Sequence, residues 1–286
     1  MGITAEQARL TPLPPHFPAA WASAYGEDSF GLWQAFEVAG VQQVMRWIPP
    51  GRFLMGSPAD EPRRDDDELQ HPVRLTQGFW LADTACTQAL WGAVMDGANP
   101  SRFKDDPQNP VEQVSWTDAV DEFLPRLNAQ LPGLQAGLPT EAQWEYACRA
   151  EAPANTPFWF GQHISGEQVN FDGTEPMPGG KQSAYRQRTV RVTALPCNGW
   201  GLYQMHGNVW EWCADWFAPY ALDANHPELA LSDPLGPKQA PEAAGRVLRG
   251  GGWIYGARGC RSAERNRYVP GLRSYGIGFR LALGAS

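Results

Sequence analysis

Enzymatic chemistry needs nucleophiles, bases or metal ligands within reach of one another, and this chain spaces its candidates poorly for that. The five cysteines, Cys86, Cys148, Cys197, Cys213 and Cys260, are odd in number, and no pair has metal-ligand spacing. That argues against a disulfide framework and against a zinc site. The histidines, His16, His71, His163, His206 and His226, include no i, i+4 pair that could hold iron or zinc on a helix. His206, beside Gly207 and Asn208, reads as a hydrogen-bonded structural histidine. Cys148 has nothing basic beside it in sequence and reads as core packing. No G-x-S-x-G, P-loop or G-x-G-x-x-G motif occurs. Gly250-Gly251-Gly252 is followed by no helix start, so it lacks the dipole that would hold an anion.

Two oxygen-rich stretches remain. Asp60 to Glu68 is an acidic run, and clustered carboxylates suit hard cations. The reading carried forward for it is a solvated loop with internal ion pairs to Arg63 and Arg64. Asn198 to Phe217 sets Asn208 and Glu211 among core-forming Trp200, Leu202, Tyr203, Met205, Trp210, Trp212 and Trp216. Buried polar groups need partners. An amide oxygen, a carboxylate and loop carbonyls would make a calcium-type oxygen cage; hydrogen bonds to loop amides would serve equally, and both readings stand.

These residues must be held by short elements. Alternation predicts strands between Trp33 and Trp47, over Phe53-Leu54-Met55, over His71 to Leu81, at Val247-Leu248-Arg249 and from Gly278 to Leu283. A helix is predicted near Thr87 to Met95, ended by Asp96-Gly97. A second opens at Ser115, its inward stripe Ala119, Val120, Phe123 and Leu127, with a kink expected at Pro125. A third runs from Pro139 to Ala150 behind a capping box of Thr140 and Gln143. Glu151 to Arg191 reads as a loop layer anchored by Phe158-Trp159-Phe160, and 218–244 as a surface loop. Residues 1–40 are expected to be an N-terminal arm packed on a single domain that covers 41–286.

The run from Arg246 to Leu283 mixes two kinds of position. Gly250, Gly251, Gly252, Trp253, Arg258, Cys260, Arg261, Arg265, Pro270, Arg273, Ile277, Gly278, Phe279 and Arg280 look architectural. Ile254, Tyr255, Gly256, Gly259, Tyr268, Val269, Gly271, Leu272, Ser274, Tyr275 and Gly276 follow no pattern. A loop this long inside a compact domain is functional or disordered, and regular arginine anchors argue for order.

Composition narrows the partners. At 43% hydrophobic residues the chain can bury a sizeable core, and 30 Gly with 26 Pro point to a loop-rich fold. A net charge of -8 makes nucleic acid and anionic membrane unsuitable partners. No apolar run has membrane length, and Pro12, Pro14, Pro15 and Pro18 interrupt any signal-peptide core, so a cytoplasmic location is expected.

Six blocks, taken together and in order, resemble the formylglycine-generating enzyme family of the sulfatase-modifying-factor type. They are I-P-P-G-R-F-L-M-G-S, N-P-V-E-Q-V-S-W-T-D-A, L-P-T-E-A-Q-W-E-Y-A-C-R, N-G-W-G-L-Y-Q-M-H-G-N-V-W-E-W, R-V-L-R-G-G-G-W and G-I-G-F-R-L-A. The resemblance implies an α+β, variant C-type-lectin fold with short strands, two to three helices and much loop. It also implies structural calcium centred on the G-N-V-W-E-W block at Asn208, Val209 and Glu211. A second family site would use Asn170, although its usual Asp partner near Ser183-Ala184-Tyr185 is absent from this chain. The family's enzymes are copper-dependent oxidases with two cysteines five residues apart; Cys260 matches the second and Tyr255 stands at the first. One thiolate does not replace the pair, because copper(I) takes both sulfurs, so no copper and no oxidase activity are expected.

The C-terminal run further resembles the variable region of C-type-lectin-fold proteins diversified by retroelements, here about 253–277. Adenine replacement in the first two bases of an Asn codon yields Ile, Tyr, Gly, Val, Leu or Ser, and all eleven patternless positions obey that rule. Glu264 does not and is treated as fixed or differently encoded. Tyr255, Tyr268 and Tyr275 among Gly and Ser would be rigid anchors in an adaptable surface. The expected function is ligand binding without catalysis, with a protein as ligand. Two other readings stand beside it: a copper-dependent oxidase on the same fold, and a structural or regulatory interaction module.

Overall fold

The computed structural model describes residues 14, 16–150, 152–153, 155–222, 225–226, 228–241 and 245–284. Within them the chain is α+β, built from three sheets of short strands, three helices and long connecting loops.

The largest sheet has six strands in the order β1 (Ala24–Asp28), β2 (Gly31–Val38), β3 (Val41–Ile48), β6 (Phe79–Ala82), β13 (Ala282–Leu283) and β7 (Ala136–Gly137). Its β2–β3 hairpin closes on Ala39-Gly40, both at positive φ, which matches the right-handed twist of the flanking strands. Part of the expected N-terminal arm is therefore sheet: β1 and β2 fall inside residues 1–40, and residues 1–13 and 15 lie outside the described set.

The second sheet runs β11 (Asn266–Tyr268), β10 (Arg246–Arg249), β8 (Trp210–Trp216) and β12 (Ile277–Phe279), with β12 parallel to β8. The third joins β4 (Gly51–Met55), β5 (His71–Leu75) and β9 (Leu231–Ser232). The single strand expected over His71 to Leu81 is two, β5 and β6, in different sheets. The break falls before Phe79, where Gly78 passes so close to the Trp47 ring that a side chain would collide with it.

Helix α1 (Gln88–Val94) starts at Thr87, whose hydroxyl accepts the Leu90 N–H at 3.0 Å. Ser115 and Asp118 cap each other's backbone N–H groups, after which the chain forms a π-turn, Asp118–Phe123, leading into α2 (Leu124–Gln130). Pro125 has no N–H to give and its ring crowds the carbonyl four residues back, so the expected kink is taken up as this widened turn. Helix α3 (Glu141–Arg149) carries the full capping box of Thr140 and Gln143. All nine of its residues are buried, so it is a core helix whose polar side chains must find partners inside.

The main core packs Trp91, Phe123, Trp210, Trp212 and Phe279 between the first two sheets and α1–α2. Trp91 stacks on Phe123 at 5.1 Å between ring centres, and Phe279 meets both edge-on. Among the described residues no helix is long and apolar enough to cross a membrane.

Candidate binding surface

Five arginines fix the long C-terminal loop to the rest of the fold. The Arg249 guanidinium is fully buried and donates to Glu145 and to the carbonyls of Ser262, Ala263 and Glu264. Arg265 forks onto both oxygens of Glu141 at 2.6 and 2.8 Å and lies over the rings of Phe217 and Tyr220. Arg280 forks onto Glu211, both contacts 2.8 Å. Arg273 reaches out to Asp118 at the start of the π-turn. Such bidentate pairs hold geometry as well as charge.

Arg261 pairs with the most carboxylates of these anchors. It is fully buried, donates to both oxygens of Glu68, and also holds Glu61 and Glu264. Beside it, the exposed Arg258 pairs with Asp65. The acidic run 60–68 is therefore not a solvated loop with its own ion pairs. Only Arg64–Asp66, at 4.0 Å, is of that kind; Glu61 and Glu68 are buried counter-charges to the C-terminal loop. One guanidinium affects its partners differently. Burial pushes Glu68 up, but the bonds and charge of Arg261 outweigh it and leave the carboxyl below its usual range. Glu61 has one oxygen on Arg261 and the other without a partner, so burial wins and its pKa rises. Burial, offset in part by Arg261, lifts Glu264 to about 7.

Between these anchors lie the patternless positions. Ile254, Tyr268, Val269 and Gly271 are exposed, and Tyr255, Gly256, Gly259, Leu272, Ser274 and Tyr275 are half-buried. Gly276 is buried under Ile254, so its place on the surface is corrected. Tyr255 leans edge-on against Trp210 at 5.5 Å, and Tyr275 rests on Trp253 at 5.7 Å. The loop that carries Ser274 and Pro270 is tied by its carbonyls to the N–H groups of Gln113 and Thr117. Gly251, at φ +75°, passes against the Gly259 carbonyl and Cys260 Sγ, so only glycine fits the turn that opens the loop. This face offers phenol rings, aliphatic groups and bare backbone, which bind by contact and hydrogen bonding.

Three side chains beside the face come from outside the C-terminal run and were not legible in sequence. Arg102 lies 5.0 Å over the Tyr275 ring, Phe103 meets Trp253 edge-on at 5.5 Å, and Tyr185 stacks on Trp253 at 6.3 Å. Phe103 and Tyr185 stand in loops without periodicity, so nothing local marks them.

The residues assigned to calcium are committed elsewhere. Asn208 is buried at φ +65°, accepts N–H bonds from Val190 and from the Asn170 amide, and returns one to the Val190 carbonyl, each 3.0 Å. Glu211 has both oxygens on Arg280, and one also takes the Trp144 indole N–H at 2.7 Å. The Val209 side chain packs against Ala85 and Val192. A carboxylate already neutralised by a guanidinium and an amide oxygen already holding two donors do not suit a divalent cation. The set Asn208, Val209 and Glu211 does not fit calcium in this arrangement. Asn170, implied for the second family site, gives its amide N–H groups to Asn208 and the Arg188 carbonyl.

The sulfur chemistry is equally closed. Cys260 is fully buried and burial pushes its thiol well up, away from the thiolate that copper takes. His206 lies 2.7 Å from the Cys260 carbonyl through Nδ1 and accepts the Trp159 N–H at Nε2. Burial lowers its pKa to about 4, so the imidazole is neutral and both nitrogens are spent. Tyr255 supplies no sulfur. These residues do not fit a copper(I) centre.

Comparison with known proteins bears on the family and the fold. The family description "Sulfatase-modifying factor enzyme 1-like domain" matches residues 30–285. The formylglycine-generating enzyme of Bos taurus is 31% identical over 212 residues, 69% of this chain and 52% of that protein, so the chain spans about half the length of this relative. Among solved structures, Treponema denticola variable protein 1 superposes with a TM-score of 0.67 at 26% identity, covering 88% of this chain and 98% of that one. PvdO from Pseudomonas aeruginosa gives 0.69 at 24% identity, covering 93% and 99%.

Proposed function

The chain belongs to the sulfatase-modifying factor enzyme 1-like domain family, and from that premise we propose that it uses the fold as a binding frame and not as an oxidase. The ligand meets the face formed by Ile254, Tyr255, Tyr268, Val269, Leu272 and Tyr275. The segment 253–277 is diversified by a retroelement, and the ligand is a protein. One observation carries this reading: ten of the eleven patternless positions are exposed or half-buried, while Arg249, Arg261, Arg265 and Arg280 between and beside them are buried and paired. Except at Gly256, where a side chain would press on Glu175, side chains can change there without disturbing the interactions that hold the loop. The likeness to a protein titled "variable protein" supports the same reading. The five unpaired thiols support a reducing, cytoplasmic setting.

Neighbouring DNA tests the diversification. A near-copy of the 253–277 coding segment, mismatched only at adenines, should lie close to a reverse transcriptase gene; its absence would remove that part of the proposal.

The identity to a formylglycine-generating enzyme favours a second reading, an oxidase on the same fold. Copper-dependent oxygen uptake with a cysteine-containing peptide, lost in Cys260→Ser, would establish it. The buried thiol and Tyr255 lead us to expect no uptake above that of the copper-free protein.

A further inference from the structure

Away from the variable face, a cavity of about 240 Å³ lies between the β4–β5–β9 sheet and residues 215–221 and 234–237. Its walls include Met55, Ala142, Trp216 and Leu231, and Leu235, 69% exposed, stands at its edge. Mostly apolar pockets with a few converging polar groups are where small molecules bind.

The polar groups at this wall have an unbalanced hydrogen-bond account. His71 is only 2% exposed, and its Nδ1 lies 2.8 Å from the Leu69 carbonyl, which can only accept. Nδ1 therefore carries a proton, and in the neutral ring Nε2 is an acceptor, with no partner among the described residues. The Tyr220 ring packs on the imidazole at 4.5 Å, and its buried hydroxyl is also without a partner. Among the described residues, Asp215, 8% exposed, accepts only the backbone N–H groups of Glu141 and Gly236 and keeps lone pairs in reserve. Arg265, the one arginine or lysine among the described residues of the wall, has four of its five N–H donors on Glu141 and on the carbonyls of Asp67 and Ala218. Acceptors outnumber free donors, and a buried acceptor left unmet is unfavourable.

We propose that this cavity binds a small organic molecule with an apolar body and a hydrogen-bond-donating head, an amine or an alcohol. The head meets His71 and Tyr220, and the body fills the space against Met55 and Leu231. The volume suits it, since a dry cavity of about 150 Å³ already takes benzene. The site is independent of the variable face.

Calorimetric titration of the whole protein with benzylamine, benzyl alcohol and toluene, with amide NMR shifts followed in parallel, tests the assignment. Saturable binding is expected, with the two donor-bearing probes at least about fivefold tighter than toluene, the value of one net hydrogen bond. Tyr220→Phe should narrow that gap and leave toluene unchanged. Leu231→Trp, which fills the space, should abolish binding of all three, and Tyr255→Ala should change none. Absence of saturable binding, equal affinity for toluene, no effect of Tyr220→Phe on the gap, or loss of binding in Tyr255→Ala would each overturn it. The conservative Tyr220→Phe variant decides the matter if Leu231→Trp fails to fold.

Discussion

Arg261 shows how much of this fold rests on single side chains. It meets Glu61 and Glu68 across 200 and 193 positions of sequence. Removing one partner of a buried charge network strands the others, so Arg261→Met should destabilise by roughly 3–5 kcal/mol, read from the urea midpoint. Arg261→Lys should not restore the wild-type value, because an ammonium cannot fork onto two carboxylates. Two titrating groups act in opposite directions. His206 has a folded pKa of about 4 against an ordinary 6.5, so its contribution is complete above pH 6.5 and is lost as pH falls towards 4. At its limit that loss is about 3 kcal/mol. Glu264 is raised to about 7, so between pH 4.5 and 7 the folded state holds a proton that the unfolded chain has released, and stability falls as pH rises. Denaturation of Glu264→Gln across pH 4 to 8 should therefore lack that decline and show a steeper net acid sensitivity than wild type.

Elements were legible where their signals are local. Thr140 and Gln143 announced α3, and the structure contains both halves of that cap. Thr140→Ala should cost about 1 kcal/mol in a denaturant titration. The hydrophobic stripe from Ala119 to Leu127 was equally plain, and Pro125 marked the right place for an irregularity, although the π form depends on how the backbone absorbs the missing donor. Elements whose partners are distant in sequence were not legible. Nothing in His71 to Leu81 says that its halves join different sheets, because β5 pairs with β4 and β9 while β6 pairs with β3 and β13. Glu61 and Glu68 looked like surface acids because their counter-ion lies near the other end of the domain. The same holds for Glu211, for which the sequence leaves a calcium cage and internal hydrogen bonds open: its partner Arg280, on both its oxygens, stands 69 positions away. The exposed positions of the C-terminal loop, in contrast, showed in sequence through their lack of pattern.

For the whole molecule, frame and surface should respond separately to change. Joint substitution of Ile254, Tyr268, Val269 and Gly271 should move stability by no more than about 0.5 kcal/mol per site, since exposed positions away from special contacts are nearly neutral. A display library randomised over the eleven positions and sorted for folding should accept large residues at Gly271, where a side chain meets open space. It should reject them at Gly256, where the first carbon would press on Glu175. Deep sequencing before and after sorting gives both numbers. The position of β13 adds a constraint of timing. This strand lies in mid-sheet, between β6 and β7, yet it follows the 253–277 segment in the chain. During synthesis the loop emerges first, and the edge of β6 stays unpaired until the polypeptide beyond the loop has arrived. Any substituted version of this loop is thus made before the frame that will hold it has closed, and one that collapses onto the waiting edge would be lost to aggregation or proteolysis before the fold is complete.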